Sequence, residues 1–573
     1  MKQRGAQLLG SACIPRLSGN RLAQKNRVNW GSIAVSAHIR ASVAILCAGL
    51  GALFISPVAK AQSNYLVPLP QKGNVIALNN SGQVLYDAGL LTGNTFAAFP
   101  ANFTASNGSP GTLGESGVVA GSTTAGHLAT YSAGTVTDLG LPPWEPNFPV
   151  TPAAINASGQ IVGYIRGAGL PSFIYSAGVF NSININSSDP TNPPTPDEMN
   201  DSGQIVLCGP SRTTGQAGFL ITGAVVTDLG ATCPYAINAS GQITGNTADI
   251  TGQDTHAFIW ANGNPTVLTE PPPFNASRAY AINKDGRIVG EMFKAQSSVP
   301  FFYNGVMTDI NSLVSASDPL KSSVTIGSVV DVNDSRLLLL VSTVPVVGSS
   351  TAYLLQAPWL DVAPGPLTFA NQGVGTTSQS QTLTLSNSGT TPLPLDSISI
   401  VAGAAEFSQT SACPQSLAAG ANCTVSVTFS PSAAGSQNTL LNVVTNGATI
   451  TVPLVGTAPI TISLSANPTS PAAGQPFTIT WIASPGSSCQ SSGGSANDGW
   501  HATTASGNVS VVETAAGMYT YNMNCTAGGE NTAQSLNVTV ANPPAPGGGG
   551  ALDLNSLLLL VGLLAQCYRT KAT

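Results

Sequence analysis

This sequence carries little charge. Of 573 residues, 8% are Asp, Glu, Lys or Arg, against about 25% in an average globular protein. The balance is acidic, with a formal net charge of -6. No basic patch is left to hold a phosphate backbone, so nucleic acid is excluded as a partner class. Histidine is scarce too: His38, His127, His256 and His501 are scattered along the chain. No G-x-S-x-G, H-E-x-x-H or phosphate-cradling loop is present, so no catalytic residue and no cofactor site is nominated. No two cysteines stand in a C-x-x-C spacing, which argues against a zinc site or a redox dithiol. No apolar run reaches the roughly 20 residues that a membrane-crossing helix needs.

What replaces charge is Gly, Ser, Thr, Asn and Pro, arranged in a repeat. AINASGQITG, Ala236 to Gly245, recurs as AAINASGQIVG ending at Gly163, EMNDSGQIVLCG ending at Gly209 and YAINKDGRIVG ending at Gly290. Each reads as a β-hairpin. A short apolar strand runs into Asn, which suits the first position of a type I turn because its side chain bonds its own backbone. Gly takes the last position because it adopts φ > 0 without steric cost. The turn pairs are Asn79 with Gly82, Asn156 with Gly159, Asn200 with Gly203, Asn238 with Gly241, and Asn283 with Gly286. Two units are degenerate: Gly114-Glu115-Ser116-Gly117, and Asn333-Asp334-Ser335-Arg336, where Arg replaces Gly.

A second hairpin follows each of these. Its outgoing strand carries an apolar cluster, at Phe96 to Phe99, Leu128 to Tyr131, Phe173 to Tyr175, Phe219 to Ile221, Phe258 to Trp260, Phe301 to Tyr303 and Tyr353 to Leu355. Two hairpins give four strands per unit at a period of roughly 35 to 50 residues, the size of one propeller blade. Closure into a ring would remove the exposed sheet edges of a long β repeat. The expected fold is all-β, a seven-bladed β-propeller over residues 62–357 followed by two immunoglobulin-like β-sandwiches. The strand near Val67 or the one near Leu354 completes the last blade, with six or eight blades as the alternatives.

Residues 1–61 have the layout of an export signal. Basic residues from Lys2 to Arg40 precede the apolar run SVAILCAGLGALFI, and Ala59-Lys60-Ala61 offers a cleavage site at Ala61. Export machinery is therefore an expected partner. Leaving out the cysteines of leader and tail, six remain, in three local pairs: Cys413 with Cys423, Cys489 with Cys525, and Cys208 with Cys233 inside one repeat. Such pairing suits an oxidising compartment. For Cys208 and Cys233, two buried free thiols are the competing reading.

The first sandwich is expected at 358–457 and the second at 458–541, where Cys489–Cys525 beside Trp481 or Trp500 suggests an immunoglobulin-type disulfide-on-tryptophan core. Residues 542–573 form a Pro/Gly linker through Gly547, Gly548, Gly549 and Gly550 into ALDLNSLLLLVGLLA, Arg569 and Lys571, the layout of a processed sorting signal.

These motifs carry three resemblances. The units resemble the HAF family of extracellular repeats, which read AIN..GQIVG, then HAFIW..G and a closing TDLG. Here His256-Ala257-Phe258-Ile259-Trp260 and Thr227-Asp228-Leu229-Gly230 match, with an echo at Thr308-Asp309-Ile310. Residues 360–456 look like the choice-of-anchor D or ASH-type immunoglobulin-like domain of bacterial surface proteins. The tail is similar to GlyGly-CTERM signals of Gram-negative bacteria, although it has one Arg and one Lys in place of an Arg cluster. That resemblance implies a rhomboid-type sorting protease as a partner, and a cell-surface, outer-membrane-associated or extracellular location. None of the three brings a catalytic residue.

Asp138, Asp228 and Asp309 occupy equivalent places in their units. In a closed ring they could line one mouth and bind a cation or a sugar, or each could cap a turn. Metal binding stays open. His256 is expected to pack rather than react. The sequence favours a non-enzymatic, exported binding or adhesion module on an immunoglobulin-like stalk, with an unknown protein or glycan as ligand. The competing reading is a carbohydrate-active enzyme, a glycoside hydrolase or lyase. It would need two of Asp138, Asp228, Asp309, Asp197, Glu198 and Glu115 facing each other across a cleft at about 5 to 9.5 Å.

Overall fold

A computed structural model describes residues 64–543 apart from 72, 106–109, 168, 186–192, 212–214, 248–254, 296, 344–351 and 402–404. The expected leader with Ala61, and the tail with Gly547 to Gly550, lie outside the described residues. Among the described residues the fold is all-β, with one turn of α-helix at Ile310–Leu313 and one 3-10 turn at Pro110–Thr112.

Seven four-stranded antiparallel sheets come first. Sheet 1 covers 75–98, sheet 2 103–140, sheet 3 150–183, sheet 4 195–228, sheet 5 232–267 and sheet 6 276–309. Sheet 7 takes three strands from 326–356 and its fourth from the other end of the chain. Val67–Pro68 pairs with Ala352–Gln356 through Val67↔Leu354 and Pro68↔Tyr353. Both strands proposed for completing the last unit are thus used, as partners of one another. From sheet 3 to sheet 7 the first strand of each sheet packs against that of the next, and the first strand of sheet 7 packs against that of sheet 1. In sheet 2 the 3-10 turn, Pro110–Thr112, takes this inner place and packs against the first strands of sheets 1 and 3.

The repeated turn forms as its residues dictate. In every complete unit the Gly amide donates to the Asn carbonyl, as in Gly241 N to Asn238 O at 3.0 Å. Gly241 sits at φ +79°, where a β-carbon would also come within 3.1 Å of Gln204 Oε1. The two degenerate turns close in the same way, Gly117 N to Gly114 O and Arg336 N to Asn333 O, both at 2.9 Å. Arg336 adopts φ +58°, a left-handed conformation that disfavours any residue with a β-carbon.

Sheet 1 departs from the sequence reading. Its third strand is Gly89–Thr92, and the cluster at Phe96 to Phe99 belongs to the fourth strand and its end. A tight connection through Asp87-Ala88 shortens this unit and shifts its aromatic residues one strand outward.

Two sandwiches follow. In the first, a sheet of Leu360–Ala363, Gln381–Asn387, Asn422–Phe429 and Phe407–Ser411 faces one of Leu367–Phe369, Ala448–Ala458, Gly435–Thr445 and Ser397–Ile400. Leu383, Leu385, Val425, Val427, Leu441, Val443, Val452 and Leu454 fill its interior. Apart from the buried Pro453 between Val452 and Leu454, they alternate with exposed or half-buried neighbours, as period-two strands require. In the second, Ile462–Asn467, Pro476–Ala483 and Ser506–Val512 form one sheet, and Ser488–Gly493, Gly517–Ala527 and Glu530–Val540 the other.

All three disulfides are present, at S–S distances of 2.00 to 2.06 Å. Two are placed differently from the sequence reading. Cys208 is in the second strand of sheet 4 and Cys233 in the first strand of sheet 5, so this bridge joins neighbouring units instead of lying inside one. Cys489 and Cys525 are directly paired residues of adjacent strands in one sheet. The bridge therefore does not span the two sheets as the immunoglobulin comparison implied. The aromatic core does form beside it, with Trp481 edge-on to Trp500 and Trp500 edge-on to Tyr521.

Candidate functional site

The turn asparagines do more than close hairpins. Asn238 accepts from Ser240 N and Gln242 N through Oδ1, while its Nδ2 donates to Gln242 Oε1 at 2.8 Å and to Asn283 O of the next sheet at 2.9 Å. The same inter-sheet bond runs from Asn156 to Asn200 O, Asn200 to Asn238 O, Asn283 to Asn333 O, Asn333 to Asn79 O, and Asn79 to Gly114 O. The series returns to its start. One link is unmade: Gly114 has no side chain to reach Asn156. At that junction a cleft of about 380 Å³ opens between sheets 2 and 3, lined by Gly114, Val118, Leu139, Ile155, Asn156 and Tyr175.

Around the same axis lies a cavity of about 190 Å³ to which every unit contributes. Its outer rim is the residue after the turn Asn or its equivalent: Asn80, Glu115, Ala157, Asp201, Ala239, Lys284 and Asp334. Its wall includes Glu198 and Asp331, two residues before the Asn. These are aimed inward by a feature the sequence did not reveal. In six of the seven sheets the pairing of the first and second strands slips here, as between Pro196 and Glu198 or Val329 and Asp331. A β-bulge re-aims the side chain that follows it.

Each carboxylate at this hub is held by backbone of a neighbouring sheet. Glu198 accepts from Ile237 N at 2.8 Å and Asp331 from Leu78 N at 2.9 Å. On the rim, Glu115 accepts from Asn80 N, Asp201 from Ala157 N, and Asp334 from Lys284 N, at 2.8 to 2.9 Å. Burial raises the Glu198 carboxyl to about 8 and that of Asp331 to about 7, outweighing the backbone bonds that favour their charged forms. Glu115 is also raised, first by burial.

The residues singled out from sequence fall into two groups. Asp138, Asp228 and Asp309 do not converge on a mouth. They lie on the fourth strands of sheets 2, 4 and 6, where each accepts from a backbone amide two residues on: Gly140, Gly230 and Asn311, at 2.7 to 2.9 Å. They cap turns. Glu115 and Glu198 do share the hub cavity, whereas Asp197 occupies the bulge beside it, raised to about 8 by burial. Asp201, Asp331 and Asp334 were missed. Reading the repeats in phase, at one position after and two before the turn Asn, would have found them.

Among the described residues no three His, Cys, Asp or Glu side chains are arranged to hold a metal ion. His256 Nδ1 pairs with Glu270 Oε1 at 2.9 Å, and Ser277 Oγ donates to the same oxygen at 2.5 Å. That shared acceptor fixes the edge of the third strand; it is not a nucleophile–base pair, because serine and histidine do not contact one another through it. His127 pairs likewise with Asp138 at 2.9 Å.

Comparison with known proteins bears on the first sandwich. Residues 361–450 match the family described as ASH: Abnormal spindle-like microcephaly-assoc'd, ASPM-SPD-2-Hydin. Among solved structures, the ASH/PapD-like domain 7 of human CEP192 is 22% identical, with 18% of this chain and 85% of that one covered and a TM-score of 0.16. The extracellular domain of BT3049 from B. thetaiotaomicron, titled a hybrid two component system, is 10% identical, with 84% and 55% covered and a TM-score of 0.29. A puromycin-hydrolyzing peptidase of Mycobacterium tuberculosis is 12% identical, with half of each chain covered and a TM-score of 0.33. No curated protein matches the sequence. Among the described residues no helix is long and apolar enough to cross a membrane.

Proposed function

We propose that the seven sheets are the blades of a seven-bladed propeller and that the protein is an exported, non-enzymatic binding module of the cell surface or extracellular space. Three disulfides support export, since such bonds persist in oxidising compartments. The HAF-type motifs, the ASH-type sandwich and the tail layout agree with a surface location.

The observation that carries the non-enzymatic reading is the state of the hub. Glu115, Glu198, Asp201, Asp331 and Asp334 each accept a backbone amide across a sheet junction. At least one oxygen of each is thereby committed to bracing a sheet junction, the structural use of these carboxylates on which the module reading rests. The rim is a rigid, acid-rich mouth with one lysine, Lys284, itself paired to Asp285. Its charge selects against anionic ligands and favours neutral or cationic groups of a glycan or protein partner.

The test is a glycan-array and protein-binding screen with the exported chain, run beside hydrolase and lyase assays on the same glycans. The module reading predicts saturable binding without product, reduced by Asp201→Ala or Asp334→Ala. Turnover abolished by both Glu115→Gln and Glu198→Gln would overturn it in favour of the carbohydrate-active enzyme.

A further inference from the structure

The junction that completes sheet 7 is short. Its fourth strand is Val67–Pro68, two residues, one of them a proline with no amide to donate. Leu69 N adds one bond to Ala352 O at 3.0 Å. Other contacts to this end of the chain come from the segment after the helical turn. Leu66 N donates to Asp318 Oδ2 at 2.6 Å, Tyr65 Oη meets Ser317 Oγ at 2.7 Å, and Ser315 N donates to Asn64 O at 2.9 Å.

That segment is in turn gripped by the ASH domain. Ser312 Oγ donates to Thr449 O at 2.7 Å and Ala316 N to Gly447 O at 3.3 Å, both acceptors on the hairpin of its two longest strands. Leu66, Ile310, Leu313 and Val314 share one apolar cluster with Ile450 and Val452. The ASH domain holds sheets 6 and 7 at a second place. Arg336 reaches Pro358 O at 3.0 Å, Ser388 Oγ at 2.8 Å and Asp361 at 2.9 Å, with its guanidinium 4.7 Å from the Trp359 ring centre. Arg287 of sheet 6 reaches Asp361 Oδ2 at 2.7 Å, and Asn304 exchanges bonds with Leu360 O and Val362 N.

We infer that the ASH domain is the clasp of the ring: by bridging sheets 6 and 7 and pinning the 310–318 segment, it holds the Val67–Pro68 strand in place. Arg336 is the residue that reveals it. Its position belongs to glycine in the other units with a complete turn, and an arginine there accepts left-handed backbone strain. The side chain is fully buried and every partner named above for it lies at 358–388. The strain is offset by docking the ASH domain, so the domain is part of the ring's closure and not a spacer beneath it. This inference is independent of what the hub binds.

The test is hydrogen exchange on the full exported chain, comparing wild type with Arg336→Gly and, from the other side of the interface, Asp361→Asn. Arg336→Gly restores the residue that the turn prefers, so a merely local role predicts unchanged or slower exchange near the turn. The clasp predicts that both variants speed exchange at least tenfold in peptides covering 64–70 and 352–356, while 161–165 and 205–211 keep wild-type rates. The double variant should speed exchange by less than the product of the two single effects, because the Arg336–Asp361 pair is common to both, while Pro358 and Ser388 are lost only with Arg336 and the Arg287 pair is weakened only at Asp361. Unchanged exchange at 64–70 in both variants, or equal acceleration in all sheets, would overturn the inference.

Discussion

Gly114→Asn should make this protein more stable. In the units with a turn Asn, that side chain accepts two backbone amides of its own turn, or one in sheet 1, and donates across to the next sheet. Gly114 stands in the same place, and its turn is already closed by Gly114 N to Val118 O and Gly117 N to Gly114 O. There is room for a side chain. A β-carbon would meet Val118 O at 3.4 Å and Ile155 Cγ2 at 3.6 Å, ordinary contacts, and the backbone is not in the left-handed region. An asparagine would complete the missing bond to Asn156 O and accept from Ser116 N and Val118 N. A net hydrogen bond contributes about 0.5–1.5 kcal/mol, and replacing a glycine lowers unfolded-state entropy by about 0.4–1 kcal/mol. Together the gain should be about 1–3 kcal/mol. At about 2–4 °C per kcal/mol for a unit of this size, the melting temperature should rise by several degrees in differential scanning calorimetry. Asn238→Gly should fall by a comparable amount. A Gly114→Asn melting point equal to or below wild type would refute the reasoning that these side chains staple neighbouring sheets.

Other perturbations should behave as follows. Gly241→Val forces a branched residue to φ +79° against Gln204, and should cost on the order of 1–2 kcal/mol by chemical denaturation. Replacing Cys208 and Cys233 by serine removes a covalent tie between sheets 4 and 5, with an expected loss of about 2–4 kcal/mol in the same assay. Glu198 and Asp331 are protonated in the folded state up to about 8 and about 7, but only to about 4 when unfolded. The folded state therefore binds more protons between these limits, and stability should fall as pH rises from about 4 to 8. Melting curves across that range should flatten in the Glu198→Gln/Asp331→Asn double variant, and an unchanged slope would contradict the burial argument. Deleting Gly547 to Thr573 should change where the protein accumulates, and identical surface labelling of full and truncated chains would remove the sorting reading.

The strand content was legible because hairpin chemistry is local. Asn at the turn's start and Gly at its end fix backbone angles within four residues, so Asn238 and Gly241 announce themselves without any knowledge of the fold. What was not legible depends on neighbours in space. The slipped pairing before each turn has no signature residue, since Asp197, Tyr235 and Val330 share neither size nor polarity, and yet it decides that Glu198 and Asp331 face the hub. Asp138, Asp228 and Asp309 are in phase in the sequence, but their phase places them on outer strands. Arg336 looked like decay of a repeat; only its partners at 358–388 give it a role. Cys208 and Cys233 stand close in sequence on opposite sides of a unit boundary, which spacing alone does not mark.

Closure is tested most directly by trapping it. Val67 and Leu354 are directly paired across the junction that joins the two ends of the seven-sheet region. Cysteines placed at both positions in the exported chain should form an intramolecular disulfide, recovered by mass spectrometry as one cross-linked peptide pair from monomeric protein. Two free thiols at these positions, or cross-links formed only between separate chains, would contradict the account.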